Sequence, residues 1–245
     1  HKRAEDEIKE TLQKEKELNA MKSNFVSLAS HEFRTPLSTI LTSIVLLEQY
    51  RTTETQDKRD RHIQRIRSSV NEMVNILEEF LSLEKIEERK VEVKYETFDL
   101  KQLSEHVRDK FATQLPRSDQ IQFVHSGDLN VFLDRAILEH ILTNLLSNAV
   151  KYSPEGKEIV LETAVTAQYV ELKVKDRGIG ISPADQKHLF ERFFRASNTG
   201  GIKGTGLGLH IVKRYVDLLK GTIRVKSNLG VGSEFAIMFF TEPAY

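Results

Sequence analysis

Glycine and proline divide this chain into two stretches of different character. Residues 1–95 contain no Gly and only one Pro, Pro36, whereas all 12 Gly and the other four Pro lie beyond residue 95. A long stretch without Gly favours helix, and the Gly-bearing remainder must turn often. The boundary falls near Val91–Thr97. In the first half Ile63, Ile66, Val70, Met73, Leu77 and Phe80 recur at alternating steps of three and four, a heptad seam. Leu18, Met21, Phe25 and Leu28 make a similar seam upstream. Ile8 and Leu12 stand one residue out of phase with it, which predicts a register slip near Lys14–Glu17. Arg51–Asp57, polar and rich in Thr, reads as the loop of a helical hairpin. The apolar stripe of that hairpin is too long for two helices alone, so the expected assembly is a homodimer forming a four-helix bundle.

The second half alternates its elements. Gln120–His125 and Asn130–Leu133 read as short strands and Asp134–Tyr152 as a helix. Lys157–Ala164 and Gln168–Lys175 follow as strands, the second with Val170, Leu172 and Val174 inward and Glu171, Lys173 and Lys175 outward. Helices are expected near Pro183–Phe194 and Leu207–Leu219, then strands at Thr222–Lys226 and Glu234–Phe240. Neighbouring strands with hairpin-length links predict an α+β layer rather than a doubly wound parallel sheet.

Composition narrows the functional classes. Lys+Arg and Asp+Glu are both 36, so net charge is zero, which argues against a chain that coats nucleic acid. Hydrophobic residues at 39% suffice for a core, and the absence of Cys excludes disulfides, thiolate metal sites and a Cys nucleophile. Lack of Cys also suits a reducing, cytoplasmic compartment. No apolar run approaches the roughly 18 residues needed to span a bilayer. The chain opens at His1 rather than Met, as expected of a piece of a longer protein, so any membrane attachment is expected through other sequence.

Five segments carry chemistry-bearing residues. In Ser30-His31-Glu32-Phe33-Arg34-Thr35-Pro36-Leu37, His31 falls outside the core stripe. A neutral imidazole is a competent nucleophile near neutral pH, and Glu32 is placed to fix its tautomer and take a proton. Pro36 lacks an N–H and crowds the carbonyl of Glu32, which predicts a kink beside His31; a solvated surface His fits the same pattern. Asn144, Asn148, Lys151 and Tyr152 share one face of their helix, a hard amide donor set for Mg²⁺ with Lys beside it. In Asp176-Arg177-Gly178-Ile179-Gly180 a carboxylate ends a strand, where it can accept a hydrogen bond from an exocyclic amine such as that of adenine; an ordinary tight turn reads the same way.

Phe190-Glu191-Arg192-Phe193-Phe194-Arg195 precedes a polar stretch, Ala196–Lys203, expected to act as a lid that brings Arg195 to a γ-phosphate. Gly204-Thr205-Gly206-Leu207-Gly208 then opens the last helix, where backbone N–H groups can meet phosphate oxygens; a flexible Gly loop is the plain alternative. Its spacing matches neither the Walker A loop nor the dinucleotide fingerprint.

Together, and in this order, the segments resemble the sensor histidine kinases of two-component signalling. The resemblance implies a coiled-coil signalling helix at 1–20, a dimerisation and histidine-phosphotransfer domain at 21–95, and a catalytic ATP-binding domain of the gyrase, chaperone and histidine-kinase type at 96–245. By it, His31 accepts the γ-phosphoryl group of ATP and Glu32 orients or deprotonates it. Asn148 holds Mg²⁺, and Asn144, Lys151 and Tyr152 line the nucleotide. Asp176, Gly178 and Gly180 meet the adenine, Arg195 serves the lid, and Gly204, Thr205, Gly206, Leu207 and Gly208 form the second Gly box. Gly230-Val231-Gly232-Ser233 is similar to the family's terminal turn. Hydrolytic relatives of the fold carry Glu where this chain has Asn144, so transfer to His31 is expected over hydrolysis. His31–Thr35 also fits an H-E-x-x-T phosphatase pattern in which Thr35 positions a water. The implied partners are a response-regulator receiver domain, with no nucleic acid, and an upstream sensor lying outside this chain. Expected pivots are the Lys94–Asp99 connector and Pro36. A nucleotide-binding dimeric scaffold without phosphotransfer is the alternative.

Overall fold

A computed structural model describes residues 27, 29–50, 55–88, 90–112, 120–202 and 204–240. The chain divides into two compact units, His1–Phe80 and Leu81–Tyr245. The coiled-coil expectation for 1–20, the upstream seam with its register slip, and residues 51–54 of the hairpin loop lie outside the described residues.

The first unit is a helical hairpin. Helix α1 is described over residues 29–49 and continues through Pro36 without interruption, and α2 spans Gln56–Glu87. The interior face of α2 is His62, Ser69, Ile76 and Phe80, all buried, with Ile66 and Met73 half-buried between them. His62 stacks on Tyr50 at a ring distance of 5.8 Å, and its Nδ1 lies 3.4 Å from the Ser43 hydroxyl of α1. Ile63, Val70 and Leu77, expected in the seam, instead face outward at 41%, 45% and 50% exposure. They form a second apolar stripe with Val74, and α1 carries a matching one of Leu37, Leu41, Ile44 and Val45. Among the described residues no helix is long and apolar enough to cross a membrane.

The second unit takes in the last turns of α2. Arg192 pairs with Glu87 at 2.6 Å, and the Tyr215 hydroxyl hydrogen-bonds Ser82. Strand β1 (Glu96–Asp99) and helix α3 (Leu100–Ala112) come next. The sequence reading treats Lys94–Asp99 as a connector; most of it is strand, because β1 pairs antiparallel with β3 (Asn130–Leu133) and the Lys94 N–H donates to Asp134 Oδ2 at 2.7 Å. The other oxygen of Asp134 caps helix α4 (Arg135–Tyr152) through Ile137 N.

The main sheet runs β2-β4-β5-β7-β6, with β2 Ile121–Gly127, β4 Ile159–Val165, β5 Tyr169–Asp176, β6 Thr222–Asn228 and β7 Gly232–Phe240. Among the described residues only β2 and β4 pair in parallel, and α4 lies in the crossover that a parallel pair requires. Val170, Leu172 and Val174 are buried together with Ile159, Leu161, Phe235, Ile237 and Phe239. The helical side of this core is Leu100, Leu103 and Val107 of α3, Leu138, Ile141, Leu142 and Leu145 of α4, and Ile211 and Val212 of α6 (Gly208–Leu218). On the other face Lys175 bridges Glu162 at 2.8 Å and Glu234 at 3.6 Å, which keeps that side polar.

The helix expected over Pro183–Phe194 is only α5, Pro183–Gln186, followed by turns. Phe193 has φ +61°, a left-handed conformation that a continuing right-handed helix cannot hold.

Candidate functional site

In the first unit His31 and Glu32 divide their surroundings between them. The imidazole is 74% exposed, whereas the Glu32 carboxylate beside it is only 8% exposed. His31 Nδ1 lies 3.3 Å from Glu32 Oε1. A carboxylate at that distance favours the tautomer with the proton on Nδ1, leaving the lone pair on Nε2. Thr35 is one turn on, on the same side of α1 as His31, and its carbonyl accepts the Thr39 hydroxyl at 3.1 Å.

The other predicted residues gather in the second unit. The C-terminal end of α4 meets the turn after β5: Ile179 N donates to the Tyr152 carbonyl at 3.2 Å. Gly178 is demanded by this approach, since a Cβ there would stand 2.5 Å from the same carbonyl oxygen. Asn148, Lys151 and Tyr152 of α4 are half-buried, and Asn144 Nδ2 donates back to the His140 carbonyl at 3.0 Å. The Lys151 ammonium stands against Gly204, where an added Cβ would lie 2.4 Å from Nζ. The helix face and the second Gly box are thus neighbours.

Asp176 is the most instructive side chain of the cluster. Its Oδ1 accepts two backbone N–H groups, Gly178 at 2.8 Å and Ser233 at 3.3 Å. Among the described residues nothing hydrogen-bonds Oδ2. Burial pushes the carboxyl above its ordinary value, opposed by the two N–H donors. The half-buried carboxylate therefore has one oxygen fixed and one left to accept. Asp176 and Gly178 were named from the sequence, whereas the Ser233 backbone contact, reaching across 57 residues, leaves no local sequence pattern.

Gly206, with φ +72°, packs on the backbone of Phe193 and Phe194, which a Cβ would meet at 2.7–2.9 Å. His210 of α6 ties the same region from below, its Nδ1 2.8 Å from the Phe190 carbonyl. Burial, with Arg192 and Arg214 nearby, holds this imidazole below its usual pKa. Thr205 and Leu207 are buried. Helix α6 begins at Gly208 with no side-chain cap, so its first N–H groups remain available to an anion.

Arg195, expected to reach a phosphate, is exposed and donates through Nη2 to the Ile202 carbonyl, closing its own segment into a loop. The root of that loop is held at two points that the sequence did not suggest. Asn198 Nδ2 donates to the Gly180 carbonyl at 2.8 Å, and the Ser197 hydroxyl and N–H both donate to Asp185 Oδ2. The Ser197 hydroxyl, then that of Ser182, holds the Asp185 carboxyl below its ordinary value.

Comparison with known proteins agrees with this arrangement. Residues 21–89 match the family model of the His Kinase A (phospho-acceptor) domain, and residues 133–243 that of the histidine kinase-, DNA gyrase B-, and HSP90-like ATPase. Sensor histidine kinase RcsC of Escherichia coli (strain K12) is 30% identical over 239 residues, 95% of this chain but 25% of that protein. Among solved structures, the Acinetobacter baumannii histidine kinase AdeS aligns with TM-score 0.64 and 27% identity over 86% of this chain and 97% of that one. The mycobacterial sensor histidine kinase MprB aligns with TM-score 0.53 and 30% identity over 61% of this chain and the whole of that one. A phospho-acceptor hairpin with an outward His, followed by an ATPase fold with one unengaged strand-end carboxylate oxygen, is the core of a two-component sensor kinase, and the chain belongs to the sensor histidine kinases.

Proposed function

We propose that this chain phosphorylates itself on His31 with ATP and then passes the phosphoryl group to an Asp of a response-regulator receiver domain, working as a homodimer. The observation that carries the reading is the His31–Glu32 pair, an outward imidazole whose Nδ1 faces a buried carboxylate. The Nε2 lone pair attacks the γ-phosphorus, the bond from that phosphorus to the β,γ-bridging oxygen breaks, and ADP leaves. The Nδ1 proton passes toward Glu32, so the phosphoimidazole is not left cationic. In the second unit, Asp176 Oδ2 accepts the adenine amino group, and the Gly204–Gly208 backbone and Lys151 meet the phosphates. Asn148 presents a hard neutral oxygen that fits Mg²⁺, whose charge offsets that of the triphosphate.

Asn144 supplies no basic carboxylate to activate water, and its amide is turned to its own helix. That favours transfer over hydrolysis. Thr35, on the His31 face, is placed to position a water for dephosphorylating the receiver domain. The kinase domains set the reaction class; the input signal belongs to sequence beyond them.

The test follows label from γ-labelled ATP with Mg²⁺ on this chain and on His31→Gln. Acid-labile, base-stable label that disappears in the variant is the expected result. Tight ATP binding with no label on the unaltered chain would instead support a nucleotide-binding scaffold.

A further inference from the structure

We propose that the Ser227 hydroxyl is the positioning centre of the nucleotide site, setting where Asp176 stands relative to the loop of residues 177–182. The inference rests on the adenine reading of Asp176 and adds a residue that acts through others rather than by touching the nucleotide.

A serine hydroxyl has one proton and two acceptor positions, and all three are used here. The Ile181 N–H donates to Ser227 Oγ at 2.8 Å. The Gly232 carbonyl, 2.9 Å away, can only accept, so Ser227 gives it the single proton. The Ser233 hydroxyl, also at 2.9 Å, must therefore be the donor in its bond to Ser227. The backbone N–H of Ser233 in turn donates to Asp176 Oδ1.

One oxygen thus joins the end of β6, the turn into β7, and the loop that follows β5. Through Ser233 it also joins the carboxylate whose other oxygen is to read the base. A second strap reinforces it: Gln186 Nε2 donates to the carbonyls of Ile181 and Ser227, both at 2.9 Å. Within the same loop, the Gly180 carbonyl accepts from Asn198 at the lid root. Without the Ser227 hydroxyl, Ile181 N, Gly232 O and Ser233 Oγ each lose a partner in a half-buried setting. The loop can then drift from the carboxylate it must stand beside.

The test compares Ser227→Thr with Ser227→Val, nearly identical in volume and different in the hydroxyl. The readouts are KM for ATP in His31 labelling, equilibrium binding of ADP against GDP, and the melting temperature. Ser227→Val is expected to raise the ATP KM about tenfold and to erode the preference for ADP over GDP, with kcat at saturating ATP within about twofold. Ser227→Thr is expected to stay within about threefold in every readout. Should Ser227→Val fail to fold, Ser227→Ala, which adds no volume, carries the comparison.

Equal behaviour of Thr and Val, or equal losses for ADP and GDP, would reduce Ser227 to packing and overturn the proposal. Asp176→Asn separates this from failure of the underlying reading. If that variant binds ADP as the unaltered chain does, the adenine assignment falls and Ser227 with it. If it loses ADP while Ser227→Val keeps it, only the Ser227 inference falls.

Discussion

Asp176→Asn is the sharpest single perturbation, because it should damage nucleotide binding while sparing the fold. The amide can orient in two ways. With its oxygen in the place of Oδ1 it still accepts from Gly178 N and Ser233 N, as Asp176 does at 2.8 and 3.3 Å. Flipped, it would point an NH₂ at two backbone donors and orphan both, at about 1–3 kcal/mol each. The first orientation wins, and it aims an NH₂ at the adenine amino group, donor against donor. The lost interaction is a hydrogen bond to a charged acceptor, about 1.5–3 kcal/mol. At about 1.4 kcal/mol per decade, ADP affinity should fall between about tenfold and a little over a hundredfold.

Stability should move the other way. Burial raises the Asp176 carboxyl above its ordinary 3.8, so the charged form is disfavoured in the folded state. A carboxylate with a raised folded pKa contributes best below its unfolded value and loses that contribution as pH rises through the folded one. The contribution is lost once the Asp176 carboxyl ionises, whereas Asn does not titrate. The variant should therefore melt at or above the temperature of the unaltered chain at pH 7, the gap closing as pH falls through the carboxylate range. Calorimetric melts at several pH values with ADP titrations would check both halves. A melting temperature several degrees lower at pH 7, or undiminished ADP affinity, would refute the geometry assigned to Asp176.

Three further perturbations test other parts of the structure. Gly178→Ala drives a Cβ to within 2.5 Å of the Tyr152 carbonyl oxygen, so the end of α4 must shift; a cost of about 1–3 kcal/mol in thermal unfolding is expected, together with weaker ADP binding. Val70→Lys with Leu77→Lys places charges on the outward stripe of α2, and sedimentation should report a monomer that keeps its helical circular dichroism; a persistent dimer would place the interface elsewhere. A polypeptide of residues 81–245 should melt about 5 °C or more above one of residues 96–245, because only the longer one keeps the Arg192–Glu87 pair, the Tyr215–Ser82 bond and buried Leu83 and Ile86. Equal melting temperatures would remove the last turns of α2 from the catalytic unit.

The catalytic fold was legible where one face of an element is buried and the other wet. The alternation in β5 and the apolar run of α4 locate both elements to within a residue or two. Helix α3 also carried a signal, with Leu100, Leu103 and Val107 buried at helical spacing and Asp99 Oδ1 accepting Gln102 N at 2.8 Å as a cap. The sequence reading assigns no element there, beside the change from Gly-free to Gly-rich sequence. The absence of helix at the expected end, Phe194, has a different origin. A non-Gly residue at positive φ, Phe193, is held there by the close approach of Gly206, a contact across 13 residues that no local propensity encodes. The site divides the same way. Its boxes can be read as strings, whereas the bonds that aim them, Ser233 to Asp176 and Asn198 to Gly180, join residues 57 and 18 apart.

The hairpin shows why a correct period can still assign the wrong faces. A heptad seam read from one helix fixes the repeat and leaves open which of two adjacent stripes meets the partner helix in the same chain. In α2 those stripes differ by a single residue: His62, Ile66, Ser69, Met73, Ile76 and Phe80 turn inward, and Ile63, Val70, Val74 and Leu77 turn out. The inward stripe contains the polar residues, His62 and Ser69, and His62 faces Ser43 across the hairpin. A hydrophobicity reading ranks these stripes in the reverse order. His62 is tolerated inside because it finds Ser43 and Tyr50 there, and such a buried polar pair also selects one register of α1 against α2. The more apolar stripe is the one left uncovered, at 41–50% exposure. Water is a poor environment for such a surface, and the matching stripe on α1 offers the same chemistry. Two hairpins facing each other through these stripes satisfy both, so the outward stripe is best explained as the dimer face of a four-helix bundle.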